Sequence, residues 1–392
     1  MTDRIYLDYA ASAPLHPEVL DAMLPWLGLS QDSGFGNAAS LSWEGKQARQ
    51  ALEEARASIA ASIGASPLEI TFTSGGTESD NSLIVGICAG VRQLKGRQRG
   101  GNLVVASAIE HHAVLEPLRA LHRDGWQTEL VRPTRQGIIE PDALAATIHK
   151  HDDTICTLVT VMASQNEIGS IQPIAELAVK AHENGALIHT DAVQALGKLP
   201  FDVTELGIDA ASFSAHKLGG PKGVGAFYLR SLTPFQPQML GGNQERGLRS
   251  GTANVAGAVG LAKALELAVA SQEAEAKRLG DLRERLSSQL NAISPRVKPS
   301  ISPATECLPN IFSIIVDKID SETMIMRLDR LGFAVSGGSA CSSGSLEPSH
   351  VLLALGVSRD QAQSVLRLSF GHGTTASDID AFCAAFAEVI GS

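Results

Sequence analysis

Between Ile70 and Leu229, short apolar runs alternate with amphipathic helical stretches, and this alternation constrains the fold more than any other feature. Ile70-Thr-Phe-Thr, Leu103-Val-Val-Ala, Cys156-Thr-Leu-Val-Thr-Val-Met, Ala186-Leu-Ile-His, Ala210-Ala-Ser-Phe-Ser and Val224-Gly-Ala-Phe-Tyr-Leu read as strands. Stretches such as Pro173 to Asn184 read as the helices between them. The pattern predicts an α/β fold on a mostly parallel sheet. Val224 to Leu229 follows its predecessor closely, so that strand is free to run antiparallel. Helical periodicity also marks Glu44 to Ile63, with Ala48, Ala51, Leu52, Ala55, Ile59 and Ile63 on the apolar side. After about Gly260 the texture changes to a long helical pattern ending near Ala292. Shorter strands such as Asn310-Ile-Phe-Ser-Ile-Ile-Val follow, then helices. The expected division is a large α/β domain over 16–260 and a small α+β domain built from 1–15 and 261–392.

Composition agrees. A chain of 392 residues, 44% hydrophobic, is long enough for two compact domains, and its 4% aromatic content suits helices packed on a sheet. A net charge of -10 argues against direct nucleic-acid binding, which needs clustered cations. The start, Met1-Thr-Asp-Arg-Ile-Tyr, lacks the apolar run of a signal peptide. Ala256 to Ala270 contains Lys263 and Glu266, so it reads as a packed helix and no membrane segment is expected. The five cysteines form no CxxC pair, so neither a metal site nor a disulfide framework is expected. A cytoplasmic location fits such a chain.

Five segments carry chemistry. Ser214-Ala-His216-Lys217 follows a strand and enters a Gly-rich loop. A lysine at a strand's C-terminal end stands where open α/β sheets bind ligands, and when desolvated it can form a Schiff base. Taken alone, it reads more readily as a surface lysine beside a turn; Lys222 is the nearby decoy. Asp191, in His189-Thr-Asp-Ala-Val-Gln194, ends another strand. A carboxylate there can hold a pyridine nitrogen protonated, or simply cap a helix. Ser74-Gly-Gly-Thr-Glu-Ser-Asp is a glycine-rich strand–helix turn suited to a single phosphate; it has neither the Walker lysine nor the dinucleotide glycine spacing. In Glu110-His-His112, one histidine can stack on a flat ring and transfer protons, whereas His112 reads as a solvated loop residue. Finally, Cys341 lies among small residues in Ser336-Gly-Gly-Ser-Ala-Cys-Ser-Ser-Gly-Ser-Leu-Glu-Pro, unlike a packed structural cysteine.

With these segments in order, the chain resembles the cysteine desulfurases of the NifS/IscS type, in the class V aminotransferase group of fold-type I pyridoxal-phosphate (PLP) enzymes. The resemblance runs from Tyr6-Leu-Asp-Tyr-Ala to about Arg367-Leu-Ser-Phe-Gly. Its most specific motifs are Ser214-x-His216-Lys217, His189-x-Asp-Ala-x-Gln194, Asn166-Glu-Ile-Gly, Arg249-Ser-Gly-Thr252 and Ser339-Ala-Cys341-Ser-Ser. It implies a large domain on a seven-stranded type of sheet and pyridoxal 5'-phosphate as cofactor. Lys217 would carry that cofactor and later move protons. Asp191 would pair with the ring nitrogen, and Gln194 and Asn166 would reach the ring hydroxyl or the substrate. His111 would stack on the ring and assist proton transfer. Gly76, Thr77, Ser214 and His216 would hold the phosphate, with Thr252 reaching the phosphate of a neighbouring subunit in a homodimer. Arg367 and Asn37 would hold the substrate carboxylate. Cys341 would take sulfur from L-cysteine as a persulfide, leaving L-alanine, and pass it to an acceptor such as an iron–sulfur scaffold. A selenocysteine lyase or another class V aminotransferase-type enzyme is the alternative.

Some positions depart from the family pattern. Gln165 stands where relatives often carry a second Asn, and Ala11-Ser-Ala-Pro replaces a Thr-rich motif. The chain ends soon after a helix near Phe382 to Ile390, without the tail that IscS-type members use to dock a scaffold, so the sulfur acceptor stays open. The long loop around Cys341 resembles the first desulfurase group rather than the SufS-like group.

Overall fold

The computed structural model describes residues 4–28, 34–95, 102–151, 154–338 and 347–391. Its strands are β1 (Ile5–Tyr6), β2 (Ile70–Thr73), β3 (Asn102–Ser107), β4 (Gln127–Val131), β5 (Ile155–Thr160), β6 (Leu187–Asp191), β7 (Ala210–Ser214), β8 (Gly225–Leu229), β9 (Val297–Pro299), β10 (Ile311–Val316), β11 (Phe333–Ala334) and β12 (Val365–Ser369). A seven-stranded sheet has the order β2-β8-β7-β6-β5-β3-β4. Its inner pairs from β4 to β7 are parallel, while β8 runs antiparallel to both β7 and β2. Six strands therefore share one direction, and the short β7–β8 connection reverses β8, which the close spacing of Val224 to Leu229 left open.

The apolar runs are continuous because both faces of this sheet are covered. In β3, Leu103 and Val105 pack with the helices Trp43–Ser62 and Ile174–Glu183, whereas Val104 and Ala106 pack with Gly76–Lys95 and His112–Arg123. The edge strand β4 is absent from the pattern of apolar runs. Its Gln-Thr-Glu-Leu-Val is mostly exposed or half-buried, so no apolar run marks it. Helix Trp43–Ser62 matches the predicted periodicity within a residue or so and is capped by Ser42 Oγ, which accepts from Gly45 N–H at 3.2 Å.

A second core surrounds the antiparallel sheet β12-β10-β9 and the parallel pair β1·β11. Leu7 belongs to this core, so the N-terminal segment joins the C-terminal elements. One helix, Val255–Ile293, serves both cores: Ala258, Leu261 and Leu265 pack on the large sheet, and Leu279, Leu282, Leu286 and Leu290 pack in the second. By length and composition it could cross a membrane, but these apolar residues are buried in the protein.

Candidate active site

The C-terminal ends of β2, β3, β5, β6 and β7 open on one side of the sheet, where α/β folds bind ligands. After β2 the chain turns through Gly75, whose φ of +152° suits glycine, into the helix Gly76–Lys95. A Cβ on Gly76 would come within 2.7 Å of Val193 Cγ2 and 3.5 Å of Ser214 Cβ. The turns after β2, β6 and β7 thus close on one spot, with the free N–H groups of a helix start facing it. Glu78 braces this turn, accepting from Ser74 N–H at 2.7 Å while pairing with Arg249 at 2.7 Å. Ser214 is buried at the end of β7, Thr77 is exposed, and His216 is half-buried with Nδ1 3.3 Å from Ser12 Oγ.

Asp191 and Lys217 arise from neighbouring strands, with Asp191 in register with Ser212. Lys217 Nζ donates to the carbonyls of Ala10 and Ala11, each at 2.7 Å. Its charge reaches His111, Asp191, Lys198 and His216. Asp191 accepts from Val193 N–H at 2.9 Å, and burial pushes its carboxyl up to about 6. Two further buried acids lie within its field. Burial, with the Asp191 charge, raises Asp80 well above its ordinary value; burial likewise raises Glu110 to about 8. His189 bridges Thr160 Oγ1 at 2.8 Å and Ser212 Oγ at 3.0 Å, and burial lowers it to about 3, leaving it neutral. The floor of the site is therefore rich in buried carboxyls, an environment that stabilises a bound cation such as a protonated ring nitrogen.

His111 caps the helix His112–Arg123, its Nδ1 accepting from Ala113 N–H at 3.1 Å. The proton of the neutral ring therefore sits on Nε2. Burial, reinforced by Lys217, lowers the ring to about 4, so it is neutral at pH 7. His112 is not the solvated loop residue expected: it is half-buried in the first helical turn, 5.0 Å ring to ring from His350. His350 Nε2 in turn donates to the Glu110 carbonyl at 2.9 Å.

Arg367, on β12, is 1% exposed. Its Nη1 donates to Asn166 O at 3.0 Å and its Nη2 to Asp8 Oδ1 at 2.8 Å, while the buried Nε has no partner among the described residues. A buried N–H without an acceptor is costly, so this atom is primed for an incoming oxygen. Asp8 also accepts from Ser336 Oγ at 2.7 Å. Gln194 Nε2 donates to Ala10 O at 2.9 Å, the same oxygen that Lys217 holds.

Two expected residues stand apart. Asn37 is exposed, its Oδ1 accepting from Ala39 N–H at 2.9 Å, and no hydrogen bond among the described residues joins it to Arg367. Thr252 is exposed in a cleft of about 190 Å³ that it shares with Ser74, Gly223 and Arg249. Cys341 lies outside the described residues. Sequence reasoning assigned no part to Asp8 or Lys198. Asp8 gives no local signal, since its partner is 359 positions away. Lys198 gives a faint one, lying four residues after Gln194. Gln165, noted as a departure, is a structural residue here: its Oε1 accepts from Ile168 N–H at 3.0 Å and its Nε2 donates to Ile109 O at 3.3 Å.

The family model for aminotransferase class-V matches residues 5–382. The chain belongs to this family. It is 43% identical to the cysteine desulfurase IscS of Dictyoglomus turgidum over 382 residues, 97% of this chain and 93% of that one. It is 42% identical to the cysteine desulfurase IscS of Methanosarcina thermophila, covering 98% and 92% of the two chains. Among solved structures it is similar to a NifS-like protein, with TM-score 0.89, 34% identity and 99% of both chains covered. It is also similar to SspA in complex with cysteine, with TM-score 0.80, 32% identity, and 93% and 98% covered. The expected fold class is thereby met.

Proposed function

We propose that this class-V family member is a PLP-dependent cysteine desulfurase, which takes sulfur from L-cysteine and releases L-alanine. The carrying observation is the meeting of the Lys217 amine and the Asp191 carboxyl at adjacent strand ends, above the cradle of Gly76 and Ser214. The fit to PLP rests on that donor set: an amine for an aldehyde, an acid floor for a ring nitrogen, and glycine N–H groups for a phosphate. When bound, PLP supplies an electron sink for a carbanion at the substrate Cα.

This chain's residues then have distinct tasks. Lys217 would hold the cofactor, and its amine would carry the proton leaving Cα. Asp191 would keep the ring nitrogen protonated, and the raised value of its carboxyl would fall with a cation facing it. Gly76, Thr77, Ser214 and His216 serve the phosphate; Gln194 and Asn166 serve the ring oxygen or the substrate. His111, neutral with its proton on Nε2, would face the ring and could donate a hydrogen bond there without adding charge. Arg367 would receive the substrate carboxylate through Nε, which has no partner among the described residues; Asn37, exposed and apart from it, would have to move in to assist. The thiolate of Cys341 would attack the substrate sulfur: an S–S bond forms as the sulfur–Cβ bond breaks, the electron pair of that bond stays with the carbon fragment, which takes up a proton to leave as L-alanine, and Cys341 remains as the persulfide; attack of a thiolate on sulfur is shared with disulfide exchange. The sulfur passes on to an acceptor protein, which we take to be an iron–sulfur scaffold. Thr252 serves the phosphate of a second copy in a homodimer; exposed apolar residues in nearby segments, among them Phe35, Trp43 and Leu240, support such a face.

Product analysis with L-cysteine and a reductant tests the reading. Alanine and sulfide are expected in equal amounts, and the Cys341→Ser variant is expected to stay yellow with PLP while releasing no sulfide. Pyruvate with ammonia, or a keto acid, or unchanged sulfide release by C341S, would overturn it.

A further inference from the structure

Gln194 and Lys198 lie four residues apart in a tight turn after β6, where Lys198 N–H reaches Ala195 O at 3.0 Å. Positions with that spacing share one side of a helical turn. Lys198 Nζ, half-buried, donates to Gln194 Oε1 at 2.9 Å. At its other end the same amide donates from Nε2 to Ala10 O at 2.9 Å. A lysine ammonium only donates and a carbonyl only accepts, so the two partners together allow one orientation of the amide. Turning it over would press Oε1 against Ala10 O and the NH2 group against the ammonium. Ala10 O also accepts from Lys217 Nζ at 2.7 Å, so one hydrogen-bonded line joins Lys198, Gln194, Ala10 and the cofactor lysine.

We propose that Lys198 is a positioning residue: its ammonium fixes the orientation of the Gln194 amide, leaving the second Nε2 hydrogen to donate to the oxygen on the cofactor ring. The inference rests on the assignment of this site to PLP. Lys198 acts on the cofactor through Gln194, not by contact. The charged and titratable groups around this line are Asp191 at the end of β6, His216 and Lys217 beyond β7, and His111 beyond β3. Burial and the Lys217 charge lower Lys198 to about 7, so the ammonium that fixes the amide prevails on the acid side of that value and gives way to an amine, which can also accept, above it.

A donor held against the ring oxygen favours the deprotonated chromophore. The absorbance–pH titration of the PLP-loaded protein therefore reads the proposal directly. Lys198→Met removes the donor at similar volume and is expected to raise the midpoint by about one pH unit, a tenfold change in the proton equilibrium. Lys198→Arg keeps a donor and a charge and should stay near wild type. Removing a positive charge also raises the midpoint by itself, so a double-mutant cycle separates the two causes. In a Gln194→Ala background, K198M should have little further effect. An equal shift with and without Gln194 would overturn positioning through the amide, as would an unshifted midpoint in K198M. If K198M does not fold, Lys198→Gln takes its place in the same cycle. Failure of the PLP assignment looks different: wild-type protein would then develop no titrating chromophore with PLP.

Discussion

Glu110 has a buried carboxyl with one satisfied oxygen and one bare one. Its Oε1 accepts from Met162 N–H at 2.8 Å and from Ser107 Oγ, while Oε2 has no partner among the described residues. Burial raises it to about 8, so the folded protein holds this proton at pH 7 and the unfolded chain, at an ordinary glutamate value, does not. The stability contributed by the protonated form is complete below the unfolded value and is lost as pH rises through the folded one. Between roughly pH 4.5 and 8 the loss approaches 1.4 kcal/mol per pH unit. Glu110→Gln imitates the protonated acid and cannot titrate. The difference in melting temperature, variant minus wild type, should therefore climb from pH 5 to 8 and then level; a flat difference would show that Glu110 is ionised in the folded state. Arg367 makes a different demand. One N–H of each Nη is held by Asn166 and Asp8, and Nε is the nitrogen with no partner among the described residues. Arg367→Lys keeps the charge and loses the fork, so KM for L-cysteine should rise about 10- to 100-fold, well beyond any change in kcat. Steady-state kinetics on the PLP-loaded variant checks this, and an unchanged KM would place the carboxylate elsewhere.

The turn that carries Glu245 is attached to the sheet by a buried ion pair. Arg56, 2% exposed, pairs with Glu245 through Nη1 at 2.6 Å and Nη2 at 2.9 Å, and Glu245 also accepts from Phe72 N–H of β2 at 2.9 Å. Arg56 also pairs with Glu53 at 3.1 Å, so Glu245→Ala leaves it one carboxylate and strands the Phe72 N–H; the variant should cost about 1–3 kcal/mol. The double variant Arg56→Met, Glu245→Met should recover part of that in urea unfolding; no recovery would mean that the turn's packing, not the charge, is at stake. Such links explain what the sequence revealed and what it hid. Strands buried on both faces, such as β3, β5 and β7, announce themselves as apolar runs, and a lysine or acid at their ends is legible by position. Edge strand β4 has no such run, and in β12 Arg367 interrupts it. Arg56 was hidden in the same way: a charged residue on a helix reads as solvated until its partner, 189 positions later, is placed beside it. The residues that give the site its electrostatics are buried charges with distant partners, and local pattern does not encode distant partners.

At the scale of the molecule, the helix Val255–Ile293 decides whether the two cores unfold together. It places Leu265 in the core of the large sheet and Leu286 in the second core, both 0% exposed, with no break in the helix between them. Arg367 and Asn166 tie the two sheets again from the far side, through the 3.0 Å bond to Asn166 O. Two connections of this kind make independent unfolding of the second core expensive, since it would strand half a helix and a buried arginine. The three tryptophans, Trp26, Trp43 and Trp126, all precede the second core's main elements, so their fluorescence reports on the large sheet and its surroundings. Leu286→Ala removes a fully buried side chain far along the helix and should cost roughly 2–5 kcal/mol. If the helix couples the cores, the tryptophan-detected midpoint falls by the same several degrees as the circular-dichroism midpoint, although the substitution touches no element that bears a tryptophan. If the tryptophan signal holds its wild-type midpoint while circular dichroism divides into two steps, the cores are independent. Arg367, on one side, and Lys217, on the other, would then be positioned by two bodies that fluctuate separately rather than by one frame.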